Sequence, residues 1–170
     1  MFAKAKFRVM RTGRLKYLYR LCYNAIMNIS SPAFNGDTIP PKYTCDGEGI
    51  SPPLQIEGTP ENAQSLVLIC DDPDAPAGLW VHWIIWNIDP KFTEIAENSV
   101  PAGSVQGTTS FGNTSYGGPC PPNGSHRYFF KIYALDTTIP LGPEAKFEDL
   151  SSAMQGHILD QAELMRTYRR

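Results

Sequence analysis

The chain has 170 residues, 42% of them hydrophobic and 19% charged, with 15 Pro, 14 Gly and a formal net charge of −2. That length fits one domain with a single sizeable core, and the composition excludes a disordered chain. No apolar run reaches the roughly 18 residues of an integral membrane segment, and so much Pro and Gly excludes a helical bundle in favour of short strands joined by turns.

Residues 1–26 stand apart. They hold seven basic residues (Lys4, Lys6, Arg8, Arg11, Arg14, Lys16, Arg20) and no Asp or Glu. Lys16 and Arg20 interrupt what an export signal would keep apolar, and no small-residue cleavage site follows. An amphipathic membrane-surface helix or an organelle presequence is an alternative. The abrupt change of composition at Met27 favours a third reading: a basic extension, 1–26, upstream of a domain that begins at Met27 and runs to 170. That domain carries 8 basic against 17 acidic residues, a net charge of −9, and all the prolines. So acidic a body excludes nucleic acid as a partner, because nothing in it would neutralise a row of phosphates.

Within the domain, residues 28–62 read as extended segments and turns, punctuated by Ser31-Pro32, Ile39-Pro40-Pro41 and Ser51-Pro52-Pro53. Leu66 to Cys70 is a short apolar run, expected as a strand covered on both faces. Trp80 to Ile88 is a longer strand. Strict alternation would put Trp80, His82, Ile84, Trp86 and Ile88 on one face and Val81, Trp83, Ile85 and Asn87 on the other. Residues 101–125 form a long Gly/Ser/Thr/Pro/Asn-rich loop, and Arg127 to Leu135 returns to strand composition. From about Phe147 to Tyr168 the apolar residues fall near one helical stripe, with Glu148 and Asp149 in its first turn and Arg166, Arg169 and Arg170 near its end. The expectation is a mainly β domain closed by a C-terminal helix.

The four cysteines, Cys22, Cys45, Cys70 and Cys120, form no CxxC pair. They are expected as free thiols of a cytoplasmic protein in a reducing compartment, without a disulfide framework and without a zinc pattern. No metal or cofactor is implied.

Three polar clusters punctuate the strands: Asp71-Asp72-Pro73-Asp74-Ala75-Pro76, Gly78 to Trp83, and Tyr116 to Tyr128. Trp80 and His82 are two residues apart on a strand, so their side chains share a face about 7 Å apart; His126 and Tyr128 stand in the same relation. Brought together, two imidazoles, a phenol and an indole line one patch rimmed by aspartates. Such a patch offers donors to a small oxyanion. An aspartate beside it orients a histidine or, with the face of Trp80, holds an ammonium group. A phosphate ester with an amine satisfies both halves. The plainer accounts are aspartates as turn formers beside Pro and the tryptophans as core.

The order of these clusters resembles a family. DPDAP at 72–76, GxWxHW at 78–83 and GGPxPPxGxHRY at 117–128 are similar to the phosphatidylethanolamine-binding proteins (PEBPs), most nearly their bacterial Raf-kinase-inhibitor-like branch. Ser31-Pro32-Ala33-Phe34, residues 42–47 and the ending around Gly156 to Leu164 carry the same likeness, which covers about 29–168. The resemblance implies a β-sandwich with a large antiparallel sheet, a smaller second sheet and a C-terminal helix. It also implies a small anion pocket walled by Asp72, Trp80, His82, Gly118, Pro119, His126 and Tyr128, with Asp74 in support.

The expected function is non-catalytic binding of a small phosphate-bearing ligand or a phospholipid head group resembling phosphoethanolamine. The alternative is a regulatory protein acting on a kinase or protease partner, and analogy with the bacterial branch admits a homodimer. An enzymatic reading is weaker. Asp72 and Asp74 after an apolar strand imitate the paired aspartates of haloacid-dehalogenase-type phosphatases, but Pro76 replaces the expected Thr or Val and no later acidic pair is placed to hold magnesium. A Cys120 nucleophile served by His126 has no further support.

Overall fold

Eight strands in two antiparallel sheets and one helix make up the computed structural model, which describes residues 26–170; the expected extension at 1–26 thus lies, but for its last residue, outside the described residues. The small sheet is ordered β1-β2-β5, from Asn28–Ser30, Leu54–Glu57 and Glu94–Ile95. The large sheet is ordered β6-β4-β3-β7-β8, from Val105–Gln106, Trp80–Ile88, Ser65–Asp72, Ser125–Leu135 and Ile158–Arg169. The mainly β sandwich with a large and a smaller sheet is therefore present.

β3 runs through the centre of the large sheet, and all eight of its residues are buried. Its alternate residues feed two cores. Leu66, Leu68 and Cys70 pack between the sheets with Ile29, Leu54, Ile56 and Ile95, while Val67 and Ile69 pack on the far side with Leu135, Ile139, Leu150 and Met154. A strand covered on both faces has no polar face to show, which is why the sequence there is a continuous apolar run.

β4 departs from strict alternation. Cys70 pairs with Trp83, yet the next residue, Asp71, pairs with Val81, so His82 is an extra residue in the ladder. A second irregularity lies between Ile85 and Ile88, where Asn87 adopts a left-handed backbone at φ 58°. After each bulge the facing of the strand reverses. Trp83, Ile85 and Ile88 consequently share the inter-sheet core, and Val81, Ile84 and Trp86 the other. The amide of Asn87 holds its bulge by exchanging hydrogen bonds with the backbone of Ile139, at 2.8 and 2.9 Å.

Two further expectations are corrected. The helix is α1, Phe147–Met154, and does not continue to Tyr168. Leu150 and Met154, one turn apart, anchor it in the far-side core. Gln155 is already extended, Gly156 takes φ 79°, and β8 then pairs with β7 along its whole length. Glu148 and Asp149 do occupy the first turn of α1, whereas Arg166 and Arg169 belong to β8.

The second correction concerns the cysteines. Cys45 and Cys120 form a disulfide across 75 residues of sequence, with Cα atoms 5.4 Å apart. The loop after β6 folds back on the 3₁₀ turn at Pro41–Tyr43, a contact that sequence spacing does not reveal. Cysteine usage therefore no longer points to a reducing compartment. Cys70 is a buried free thiol, as its apolar surroundings required. Among the described residues no helix is long and apolar enough to cross a membrane.

Candidate functional site

The ends of three neighbouring strands, β3, β4 and β7, meet at one edge of the sandwich and open on a cavity of about 250 Å³. Each strand delivers its polar residues by its own register. On β7, residues alternate buried and exposed from Ser125 onward, so His126 and Tyr128 point inward in line with Phe130 and Ile132 of the core. On β3, Asp72 follows Leu68 and Cys70 on the same face. On β4, the bulge turns His82 to the same side as Trp83, and Trp80 completes the wall. Asp72, Trp80, His82, His126 and Tyr128 all line the cavity, together with Ala75, Pro76, Phe111 and Cys120.

The two histidines are held through the same ring atom. Nδ1 of His126 lies 2.8 Å from Oδ2 of Asp72, and Nδ1 of His82 lies 2.6 Å from the carbonyl oxygen of Gly117. Both partners are acceptors, so each Nδ1 carries a proton and each ring presents Nε2 as its remaining nitrogen. Both residues are buried, at 3% and 7% exposure. Burial, and then the neighbouring His126, lower the pKa of His82 from the ordinary imidazole range, partly countered by the Gly117 carbonyl and the Asp72 charge. The Tyr128 hydroxyl is fully buried beside the Asp72 carboxylate and the Cys120 backbone, with no hydrogen bond of good geometry to either. Burial first, and the Asp72 charge next, raise its pKa well above the usual phenol value.

Aromatic rings fix these groups laterally. The His82 ring meets Phe111 and Tyr128 edge-on, with centroids 5.3 and 5.2 Å apart, and Trp80 meets Phe111 at 5.4 Å. Phe111 was not singled out from the sequence. An aromatic residue inside an otherwise Gly/Ser/Thr-rich loop was the available signal.

Two of the expected wall residues, Gly118 and Pro119, and the expected supporting residue Asp74 stand behind the cavity rather than lining it. Asp74 does not line the cavity: it accepts hydrogen bonds from the backbone N–H, Nε and Nη2 of Arg127 at 2.9, 2.9 and 2.7 Å. The Arg127 side chain holds the Asp74 carboxyl down at a pKa of about 2. Gly118 lies against the 3₁₀ turn, where a Cβ would stand 2.9 Å from the Thr44 backbone. The Pro119 carbonyl accepts from Cys45 N–H, beside the disulfide. Gly117 exchanges backbone and ring hydrogen bonds with His82, and a Cβ there would strike the Phe111 ring. The glycines thus let the loop approach closely enough to orient His82.

Asp72 has both oxygens engaged, Oδ2 with His126 and Oδ1 accepting from Asp74 N–H at 2.8 Å. Among the described residues no three His, Cys, Asp or Glu side chains are grouped to hold a metal ion. Lysine and arginine are absent from the residues described as lining the cavity.

Comparison with known proteins agrees with this architecture. The chain is 54% identical over 150 residues to the UPF0098 protein of Methanothermobacter thermautotrophicus, covering 85% of this chain and 99% of that one. It is 48% identical to a UPF0098 protein of Chlamydia pneumoniae, covering 84% and 98%. Among solved structures, a PEBP homologue from Chlamydia trachomatis, CT736, superposes with a TM-score of 0.82 at 45% identity, over 86% of this chain and 99% of that one. Escherichia coli YbcL, described as a member of the mammalian PEBP family, gives 0.80 at 29% identity, again over 86% and 99%. Residues 29–169 match the phosphatidylethanolamine-binding protein family across both sheets and all three strands that build the cavity, and the chain belongs to that family.

Proposed function

We propose that the cavity binds a small phosphate-bearing ligand or head group, of the size and chemistry of phosphoethanolamine, and does so without catalysis. One observation carries this reading: two histidines that each keep one ring nitrogen for a ligand line an open cavity, together with a buried tyrosine whose hydroxyl makes no hydrogen bond of good geometry. A buried donor left unpaired costs about 1–3 kcal/mol, which an oxyanion ligand would recover. The Trp80 ring and the Asp72 carboxylate supply the surroundings for an ammonium end. Asp74 takes no part in that, since Arg127 occupies it.

The geometry favours binding over turnover. Both oxygens of Asp72 accept hydrogen bonds, which makes them weaker nucleophiles, and the Cys120 sulfur is bonded to Cys45.

Calorimetric titration of the full chain with phosphoethanolamine, phosphate and ethanolamine tests the reading. Saturable binding of the two phosphate compounds is expected, with ethanolamine alone giving none. His82→Ala should weaken phosphoethanolamine by about tenfold or more while its near-ultraviolet circular dichroism stays that of the wild type. If neither phosphate compound binds the folded wild-type protein, the cavity is not an anion site.

A further inference from the structure

We propose that the Cys45–Cys120 disulfide is a site of thiol–disulfide exchange, attacked at Cys45 Sγ by an external dithiol, and that opening it loosens the cavity wall. The exchange site stands on its own, and the loosening of the wall rests on the reading of the cavity as a phosphate site.

The surroundings of this disulfide differ from those of a buried cross-link. Cys45 and Cys120 are both exposed, so a thiol in solution reaches them. Cys120 has a cation beside its sulfur: Nη1 of Arg170 donates to Cys120 Sγ at 3.5 Å. Cys45 is instead followed by Asp46, whose carboxylate accepts from Arg170 Nε at 3.0 Å and from the Tyr168 hydroxyl at 2.7 Å. The two sulfurs are therefore unequal leaving groups. Negative charge developing on Cys120 meets a guanidinium, whereas on Cys45 it develops next to an acidic residue.

The exchange takes two steps. One thiolate of the dithiol attacks Cys45 Sγ, and the S–S bonding pair leaves with Cys120 as a thiolate. The second thiol of the reductant, deprotonated, then attacks its own sulfur in the mixed disulfide and expels Cys45 as a thiolate. The reductant ends as an intramolecular disulfide, oxidised by two electrons, and its two protons pass to the two cysteines.

The cavity feels this change directly. Cys120 lines it, and Gly117 on the same loop supplies the carbonyl that orients His82. Without the S–S bond the loop rests on the 3₁₀ turn only through the Tyr116 hydroxyl on the Tyr43 carbonyl, the Cys45 N–H on the Pro119 carbonyl, and the fit of Gly118 against Thr44. Such contacts open locally, which a covalent link prevents. If opening weakens the ligand, the ligand opposes opening by the same factor.

The exchange site is read by treating the oxidised full chain with glutathione, quenching with N-ethylmaleimide and mapping the peptides by mass spectrometry. Glutathione is expected on Cys45 and maleimide on Cys120, both distinguished by mapping from Cys22 and the buried Cys70. Glutathione mainly on Cys120, or on neither, overturns the assignment. Arg170→Gln should slow reduction by dithiothreitol about threefold or more, and Arg170→Lys should restore most of the rate. An unchanged or faster rate in Arg170→Gln overturns it too. Calorimetry with phosphoethanolamine reads the wall. The dithiothreitol-reduced protein, its fold checked by near-ultraviolet circular dichroism, should bind about tenfold more weakly, and saturating phosphoethanolamine should protect the disulfide. Equal affinity of the two forms, or global unfolding on reduction, overturns the loosening. If phosphoethanolamine binds neither form, the phosphate reading and the loosening fail together, and the glutathione map alone decides the exchange site.

Discussion

At Asp74 a turn residue is converted into a clamp. Its carboxylate receives three hydrogen bonds from Arg127, the neighbour of His126, and so holds the first residues of β7 against the turn that follows β3. The bonds to Arg127 depress the Asp74 pKa from 3.8 to about 2. A carboxylate depressed on folding stabilises the protein above its unfolded pKa and loses that contribution as pH falls through the folded one. The clamp is therefore complete above about pH 4 and lost between pH 4 and 2. Asp74→Asn should be less stable than the wild type in urea unfolding at pH 7 and indistinguishable from it at about pH 2. A difference that persists at pH 2 would assign the effect to packing instead. The side chains of the pair are partly exposed, so the effect at pH 7 is small. The resemblance placed Asp74 in support of the cavity wall, and the sequence did not show that Arg127 is the group it holds. Spacing places a residue on a loop without revealing which charged side chain the opposite strand brings to it.

For the elements, the contrast between β7 and β8 shows where sequence periodicity informs. β7 alternates cleanly because one face packs in the core and the other is exposed or half-buried, and His126 and Tyr128 were legible from it. β8 is an edge strand, and Ile158, Leu159 and Met165 are exposed while Leu164 and Tyr168 are buried. Its apolar residues thus follow neither a strict strand period nor a full helical one, and their continuation from α1 mimics a longer helix. What ends the helix is local. Gly156 takes φ 79°, and a Cβ there would touch nothing within 4 Å, so the site demands conformation rather than space. Gly156→Ala should cost about 1 kcal/mol in chemical unfolding. A neutral result would show that the chain turns into β8 without needing a left-handed residue.

For the whole molecule, the class and the candidate site were legible in composition and motif order, whereas the covalent link was not. Cys45 and Cys120 belong to segments that meet only when the loop carrying Tyr116 to Pro119 settles on the 3₁₀ turn. That contact also involves the Tyr116 hydroxyl donating to the Tyr43 carbonyl at 3.0 Å and the fit of Gly118 against Thr44. Cross-linking 75 residues restricts the unfolded chain, an effect of about 4 kcal/mol in the chain-entropy account and about 2–4 in typical measurements. The double variant Cys45→Ser, Cys120→Ser should lose stability of that order in a denaturant titration against the oxidised wild type. Because Cys120 also borders the cavity, the variant should bind phosphoethanolamine more weakly at temperatures where it remains folded. A variant with unchanged stability would mean that packing alone holds the loop.

The bulge in β4 bears on how such a site can arise. His82 is the one residue between Val81 and Trp83 that has no counterpart on β3. Removing it would leave Trp80, Val81, Trp83, Ile84 and Ile85 in simple alternation, each on the face it already occupies. The strand ladder is therefore continuous without this histidine, although the Gly117 loop would lose the partner it holds, and the proposed binding residue sits in a bulge of an otherwise regular strand. A single codon deletion should remove the proposed binding residue while keeping the pairing of β4 with β3. In this fold, recognition and architecture can be inherited separately.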